Sequence, residues 1–373
     1  MITKSVAEIN KYVGSSVNPM ATPDQIYELY SVPSFESGSP EIVSGADVGS
    51  TKVIVEEGDI LICKINPRIN RVWVVHRNTE HPLLASSEWI VVRNASMNSD
   101  YLKWYFSSPI FRTLLTSQVT GIGGSLTRAQ PKQVAKYPVP IPPRDEQDYV
   151  ADILTRIDNL MHKYQQQIIG IEQLVKSRFI ELFGEPLSNQ KGWQTMSIME
   201  VAPIKSQRGN LADEVWLLNL DAVEAQTGTV LFKHRVQSGE INASTVYFTT
   251  ESVLYSKLRP YLNKVVMPDE DGVATSEMIP MYPLADRLNR AYLCYWLRSD
   301  AFVKHISEKV AGAKMPRVSM DYFRSLVIEM PPLELQEEFA TFVEQVDKSK
   351  LAIQQSLEKL ETLKKALMQQ YFG

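Results

Sequence analysis

The stretch CKINPRINRV (63–72) returns later in the chain as SKLRPYLNKV (256–265), with Lys64 matching Lys257, Pro67 matching Pro260, Asn70 matching Asn263 and Val72 matching Val265. Other pieces return in the same order: ASSE (85–88) as ATSE (274–277), YLKWYFSS (101–108) as YLCYWLRS (292–299), PPRDEQ (142–147) as PPLELQ (331–336), and LFG (182–184) as YFG (371–373). The offset between partners drifts by only a few residues. A duplication constrains a fold more than local propensity does, because two copies of one unit must share one architecture. At 373 residues the chain is also past the size at which a single core keeps growing. Two tandem, pseudo-symmetric units are expected.

Each copy has two textures. The first is mixed α/β, with β-branched runs such as KVIVEEGDILICKI (52–65) and WIVVRN (89–94), glycine turns and a predicted helix near residues 101–115. The second opens with Pro-Pro and acidic residues, which suit the first turn and the positive dipole end of a helix. From there Val150, Leu154, Ile157, Met161, Tyr164, Ile168, Ile171, Val175 and Leu182 keep a 4,3 spacing, interrupted at Arg178. Phe339, Val343, Val346, Ile353, Leu357, Leu360 and Leu367 repeat it, interrupted at Lys350 and Lys364. Such a seam suits either a core-facing amphipathic helix or a coiled coil. The absence of proline over roughly 39 residues, or roughly 58 Å of helix, and a matching partner in the same chain favour the coiled coil. Gly184 and Gly373 are placed to end the two helices. The expected domains are thus 1–141 and 186–330, each followed by a spacer helix, 142–185 and 331–373, the two helices pairing with each other.

Composition excludes several function classes. The chain is 44% apolar and 22% charged, with a net charge of −4, and has no apolar run long enough to span a membrane. No signal-peptide pattern opens the sequence, so a cytoplasmic location is expected. Cys63 and Cys294 stand far apart without metal-ligand spacing and are expected to pack as small apolar residues. The net negative charge falls on the two helical segments, whereas the mixed domains are near neutral and can each gather Lys and Arg on one face.

An enzyme is not indicated. The sequence has no GxxxxGK[ST], HExxH or GxSxG motif, and its five His residues are scattered. What recurs instead is a pair of turns rich in Lys, Arg and Asn. Lys64, Asn66, Arg68, Asn70 and Arg71 stand in the first, and Lys257, Arg259, Tyr261, Asn263 and Lys264 in the second. These residue types bond guanine edges, adenine edges and phosphates. A solvated turn after a strand is the competing interpretation, and recurrence of a fixed frame with divergent residues between favours recognition. A glycine loop, VTGIGGSLTR (119–128), precedes the first Pro-Pro, and its counterpart VAGAKMPR (310–317) has lost two glycines and gained Lys314. A loop that cradled a nucleotide would not tolerate that change, so a phosphate role would involve a polymer rather than a cofactor.

Taken together, the two Lys-x-x-Pro-x-x-Asn turns, the glycine loop and the Pro-Pro-x-x-x-Gln start of a heptad helix closing in LVKSRFIELFGEP (174–186) resemble the DNA-specificity subunit of type I restriction-modification systems. The resemblance covers nearly the whole chain in domain order. It implies two target recognition domains, each for one half of a bipartite double-stranded DNA site, separated by two antiparallel helices. It further implies docking of two adenine methyltransferase subunits and two restriction subunits, with no cofactor or metal held by this chain. By the same likeness Lys64, Arg68, Arg71, Lys257, Arg259 and Lys264 would contact DNA, and Asn66, Asn70, Tyr261 and Asn263 would be base readers. Ser125, Thr127, Arg128, Lys314 and Arg317 would contribute from the glycine-type loops, while Val150, Leu154, Ile157, Met161, Ile168, Phe339, Val343, Val346, Leu357 and Leu360 would form the coil seam. Ile122 stands where that family's loop carries Ser or Thr. A helical scaffold joining two other ligand-binding modules is the alternative.

Overall fold

The computed structural model describes residues 2–117, 119–120, 127–205, 212–241, 244–312 and 314–373. The chain divides into two compact units, one of residues 1–164 with 356–373 and the other of residues 165–355. Each of the two long helices, Arg144–Phe183 and Leu333–Phe372, therefore gives one segment to each unit.

In the first unit a five-stranded sheet has the order Ser16–Val17, Lys52–Ile54, Leu83–Ser86, Ile26–Tyr30, Glu41–Ser44. Only the Ile26–Tyr30 and Leu83–Ser86 pair is parallel. Beside it lies a three-stranded sheet in which Ile60–Cys63 is central between Val72–Val74 and Trp89–Val92. Every residue of Ile60–Cys63 is buried. The period-2 geometry of a strand explains why: Ile60 and Ile62 enter one core, and Leu61 and Cys63 another.

The second unit repeats the plan. A four-stranded sheet of order His234–Gln237, Glu214–Leu218, Gly272–Thr275, Thr245–Phe248 contains one parallel pair, Trp216 lying opposite Gly272. Its companion sheet again has a fully buried central strand, Val253–Ser256, with Val253 and Tyr255 in one core and Leu254 in another. The expected pair of pseudo-symmetric mixed α/β units is present. Each unit is closed by an antiparallel pair formed by the two ends of its globular part: Ile2–Ser5 with Pro138–Ile141, and Gln194–Ser197 with Val327–Met330.

The Pro-Pro-x-x-x-Gln repeat is a lock at the start of each long helix. Gln147, 3% exposed, donates from Nε2 to the Pro142 carbonyl at 2.9 Å and accepts from the Asn98 N–H at 3.0 Å. Gln336, 0% exposed, does the same with Pro331 and Asn289, at 2.8 Å in both bonds. Asn98 and Asn289 in turn cap the helices Ser99–Phe106 and Arg290–Arg298 with their side chains. At the other end Gly184, with φ 81°, donates its N–H to the Ile180 carbonyl at 2.8 Å, and Gly373, with φ 91°, repeats this with Gln369 at 3.0 Å.

Within each unit the two long-helix segments run antiparallel. In the first, Tyr149 meets Tyr371 with ring centroids 6.5 Å apart, and Asp158 meets Lys364 at 2.6 Å. In the second, Glu172 meets Lys350 at 2.6 Å and Arg178 meets Glu338 at 2.8 Å. The three charged interruptions of the seam are therefore its cross-helix ion pairs. Val150, Leu154, Ile157, Phe339 and Val343 are buried, whereas Met161, Ile168, Val346, Leu357 and Leu360 are half-buried. Toward the C-terminal helix ends the seam shifts by one residue from the expected heptad. Phe179, Phe183, Met368 and Phe372 are buried, while the expected Leu182 and Leu367 are only partly so. Aromatic packing onto the globular domain draws them there, with Phe183 and Tyr292 at 4.7 Å and Tyr101 and Phe372 at 5.6 Å.

Candidate nucleic-acid interface

The Lys-x-x-Pro-x-x-Asn turns have one geometry in both units. Asn66 and Asn70 take positive φ of 47° and 53°, and Arg259 and Asn263 take 49° each. Pro67 and Pro260 are buried. Asn70 donates from Nδ2 to the Phe106 carbonyl at 3.0 Å, and Asn263 to the Arg298 carbonyl at 3.0 Å. Each satisfies a carbonyl in the last turn of a neighbouring helix. These two asparagines, expected from the sequence to read bases, thus each give an Nδ2 donor to the scaffold. Asn263 is 2% exposed, and its Nδ2 is bonded inside the fold while its Oδ1 is buried without a hydrogen-bond partner.

The frame is completed by two further segments. Lys64 donates its backbone N–H to the Glu88 carbonyl at 2.9 Å, the Ala129 N–H reaches the Lys64 carbonyl at 2.9 Å, and the Asn66 N–H reaches Thr127 at 2.9 Å. In the second unit Lys257 donates to Glu277 at 3.0 Å, Val318 to Lys257 at 3.0 Å and Arg259 to Pro316 at 2.8 Å. The basic turn, the Ser-Ser-Glu or Thr-Ser-Glu turn and the strand after the glycine loop are thus knitted together in each unit.

Several basic side chains are engaged internally. The Arg71 side chain, 16% exposed, donates to Glu36 at 2.9 Å. Lys264, half-buried, donates from Nζ to the Leu220 carbonyl at 2.6 Å, and burial pulls its ammonium below the usual lysine range against the opposing Asp221 charge. Lys64 donates from Nζ to the Ser87 carbonyl, Lys257 is half-buried and Thr127 is 7% exposed. Arg71 and Lys264, both expected to contact DNA, thus have partners within the fold, and Thr127, expected to contribute from the glycine loop, is buried. Ser125 lies outside the described residues.

Exposed at the same places are Arg68, Arg128, Arg259, Tyr261, Lys314 and Arg317. Two of these arginines have carboxylate partners that the sequence reading did not single out. Arg128 bonds Glu88 at 3.1 Å, and Arg317 bonds Glu277 at 2.8 Å. The signal was in the repeat, since ASSE and ATSE keep a carboxylate beside small residues. Among the described residues no group of His, Cys, Asp and Glu is arranged to hold a metal, and no helix is long and apolar enough to cross a membrane. Cys63 and Cys294 are both buried and free, and burial pushes their thiols up.

One turn geometry thus recurs in both units with different exposed cationic side chains on it. The type I restriction modification DNA specificity domain matches twice, over residues 10–173 and 190–364. The chain belongs to that family. It is 22% identical over 356 residues to the type I restriction enzyme MjaVIII specificity subunit of Methanocaldococcus jannaschii, covering 86% of this chain and 80% of the relative. It is 26% identical over 156 residues to the Escherichia coli EcoDI specificity subunit, covering 41% of this chain and 34% of the relative. In fold it is similar to a chain solved in work on complex assembly and conformational transition of the type I R-M system, with a TM-score of 0.58 at 17% identity, covering 100% of this chain and 97% of that one. It is also similar to the S subunit of a type I system from M. genitalium, with a TM-score of 0.56 at 11% identity, covering 98% and 94%. The specificity family accounts for both units, and the two matched ranges correspond to the two copies of the repeat.

Proposed function

We propose that this specificity subunit reads a bipartite duplex DNA site, each unit taking one half with the face built from its basic turn and the strand that follows the glycine loop. The observation that carries this is the recurrence of one rigid frame with different exposed residues on it: Arg68 and Arg128 in one unit, Arg259, Tyr261, Lys314 and Arg317 in the other. A shared scaffold with divergent donors is what two different half-sites require. The chain works as a non-catalytic cytoplasmic component, docking two adenine methyltransferase subunits and two restriction subunits. Exposed apolar side chains on the long helices, among them Leu174 at 53% and Leu351 at 56%, support a protein partner there, and the acidic balance of those helices disfavours phosphate.

Mapping methylated adenines in cells with and without this chain tests the reading. A two-part motif separated by unspecified bases should lose methylation when the chain is deleted. Unchanged methylation, with the methyltransferase still expressed, would remove the proposal.

A further inference from the structure

We infer that Glu277 is a positioning residue that presents Arg317 end-on to a guanine in the half-site read by the second unit. The inference rests on the DNA-reading function and names one contact within it.

The geometry of the pair selects this role. Arg317 offers its side-on edge to Glu277: Nε lies 3.0 and 3.2 Å from the two carboxylate oxygens, and Nη2 lies 2.8 Å from Oε1. A guanidinium carries five N–H donors in a planar fork. The side-on pairing leaves one N–H on Nη2 and both on Nη1 without another hydrogen-bonded acceptor among the described residues, and one N–H from each of these nitrogens forms the end-on edge. The Arg317 side chain is 43% exposed.

Arg71, Arg144 and Arg156 each meet a carboxylate through Nε alone, and three other arginines are engaged differently again. Arg235 gives its end-on fork, Nη1 and Nη2, to Glu270. Arg93 gives Nε and Nη2 to Asp59 and Nη1 to Glu56, so all three of its nitrogens are used. Arg290 spends Nε and Nη2 on two backbone carbonyls.

The arm is also rigid at its base. Arg317 lies on a strand paired with Val310–Ala311, bridges to Leu258, and is flanked by the Arg259 to Pro316 and Val318 to Lys257 bonds. Holding a long side chain in its working orientation beforehand reduces the entropy lost on binding. Charge then decides between the two kinds of DNA acceptor. Glu277 offsets the positive charge that a phosphate contact would exploit, but leaves a planar pair of donors that matches guanine O6 and N7. In the first unit Arg128 makes a single 3.1 Å bond to Glu88, so the inference is confined to Arg317.

The test uses the chain assembled with its methyltransferase, on a duplex carrying the mapped target motif. Each guanine of the motif is replaced in turn by 7-deazaguanine, which removes N7 and keeps base pairing. Wild type should lose about tenfold in affinity at one position. Arg317→Ala and Arg317→Lys should both bind more weakly and be insensitive at that position. Glu277→Gln, the milder variant for folding, should assemble normally, bind the unmodified site less tightly and show a smaller deaza effect at the same guanine. If Arg317→Ala weakens binding, Arg317→Lys restores it and no guanine shows the effect, the arginine is a phosphate contact; the inference fails while DNA reading stands. If no Arg317 or Glu277 variant changes binding by the assembled complex, DNA does not lie on this face and both proposals fail.

Discussion

Lys350 on one long helix lies 2.6 Å from Glu172 on the other, at a position where the heptad pattern calls for an apolar side chain. The lysine side chain is 18% exposed and the glutamate 35%, so the pair is partly shielded from solvent. Removing one partner strands the other, whereas removing both does not. Lys350→Met alone should destabilise the second unit by about 1 kcal/mol. The double change Glu172→Leu with Lys350→Leu should restore or exceed wild-type stability. Chemical denaturation of wild type and the two variants checks the order, and an equal loss in single and double variants would reject it.

Asn263 gives a test that separates scaffold from recognition. Asn263→Ala removes the bond to the Arg298 carbonyl and places a residue poorly suited to it at φ 49°. The expected cost is about 2–3 kcal/mol, from the lost bond and the strained backbone. The methylated motif in cells should keep its sequence even as the amount of active protein falls. A changed base preference would return Asn263 to the reading face.

Arg68 and Arg71 should respond differently although they are three residues apart in one turn. Arg68 is exposed, so Arg68→Ala should weaken binding to all duplexes and lower the slope of log affinity against log salt by about 1 if it meets a phosphate. Arg71 is tied to Glu36, so Arg71→Ala should act mainly on stability. Binding titrations at several salt concentrations, beside thermal melts, distinguish the two outcomes.

The edge strand His234–Gln237 carries an acid-sensitive clasp. Hydrogen bonds from Arg235 and Lys233 hold Glu270 down at about 2, against an ordinary value of 4.5, with burial opposing them. Because the folded state lowers this pKa, its contribution is fully present above 4.5 and is lost as pH falls from there toward 2. Wild type should therefore lose melting temperature over that window more steeply than Glu270→Gln. Parallel slopes for the two proteins would reject the clasp.

The duplicated architecture was legible because both copies obey the same packing rules, and two weak patterns in register make one strong one. The charged breaks at Arg178, Lys350 and Lys364 looked like defects because a one-dimensional pattern does not display the opposing carboxylate. Asn70 and Asn263 fitted base recognition by residue type. Their left-handed backbone and the helix carbonyls they satisfy belong to the folded turn. Glu88 and Glu277 were visible in the repeat, yet an acidic residue beside proposed DNA contacts carried no meaning until its arginine stood next to it.

The strand pairs that close the two units have an evolutionary consequence. Ile2 lies opposite Ile141, and Gln194 opposite Met330, so each head begins and finishes at neighbouring points of the backbone. A module whose entrance and exit adjoin can be exchanged between genes as one cassette, provided the incoming piece supplies the same two strands. New sequence preference can then be acquired by recombination, without renegotiating the helices that partners would grip.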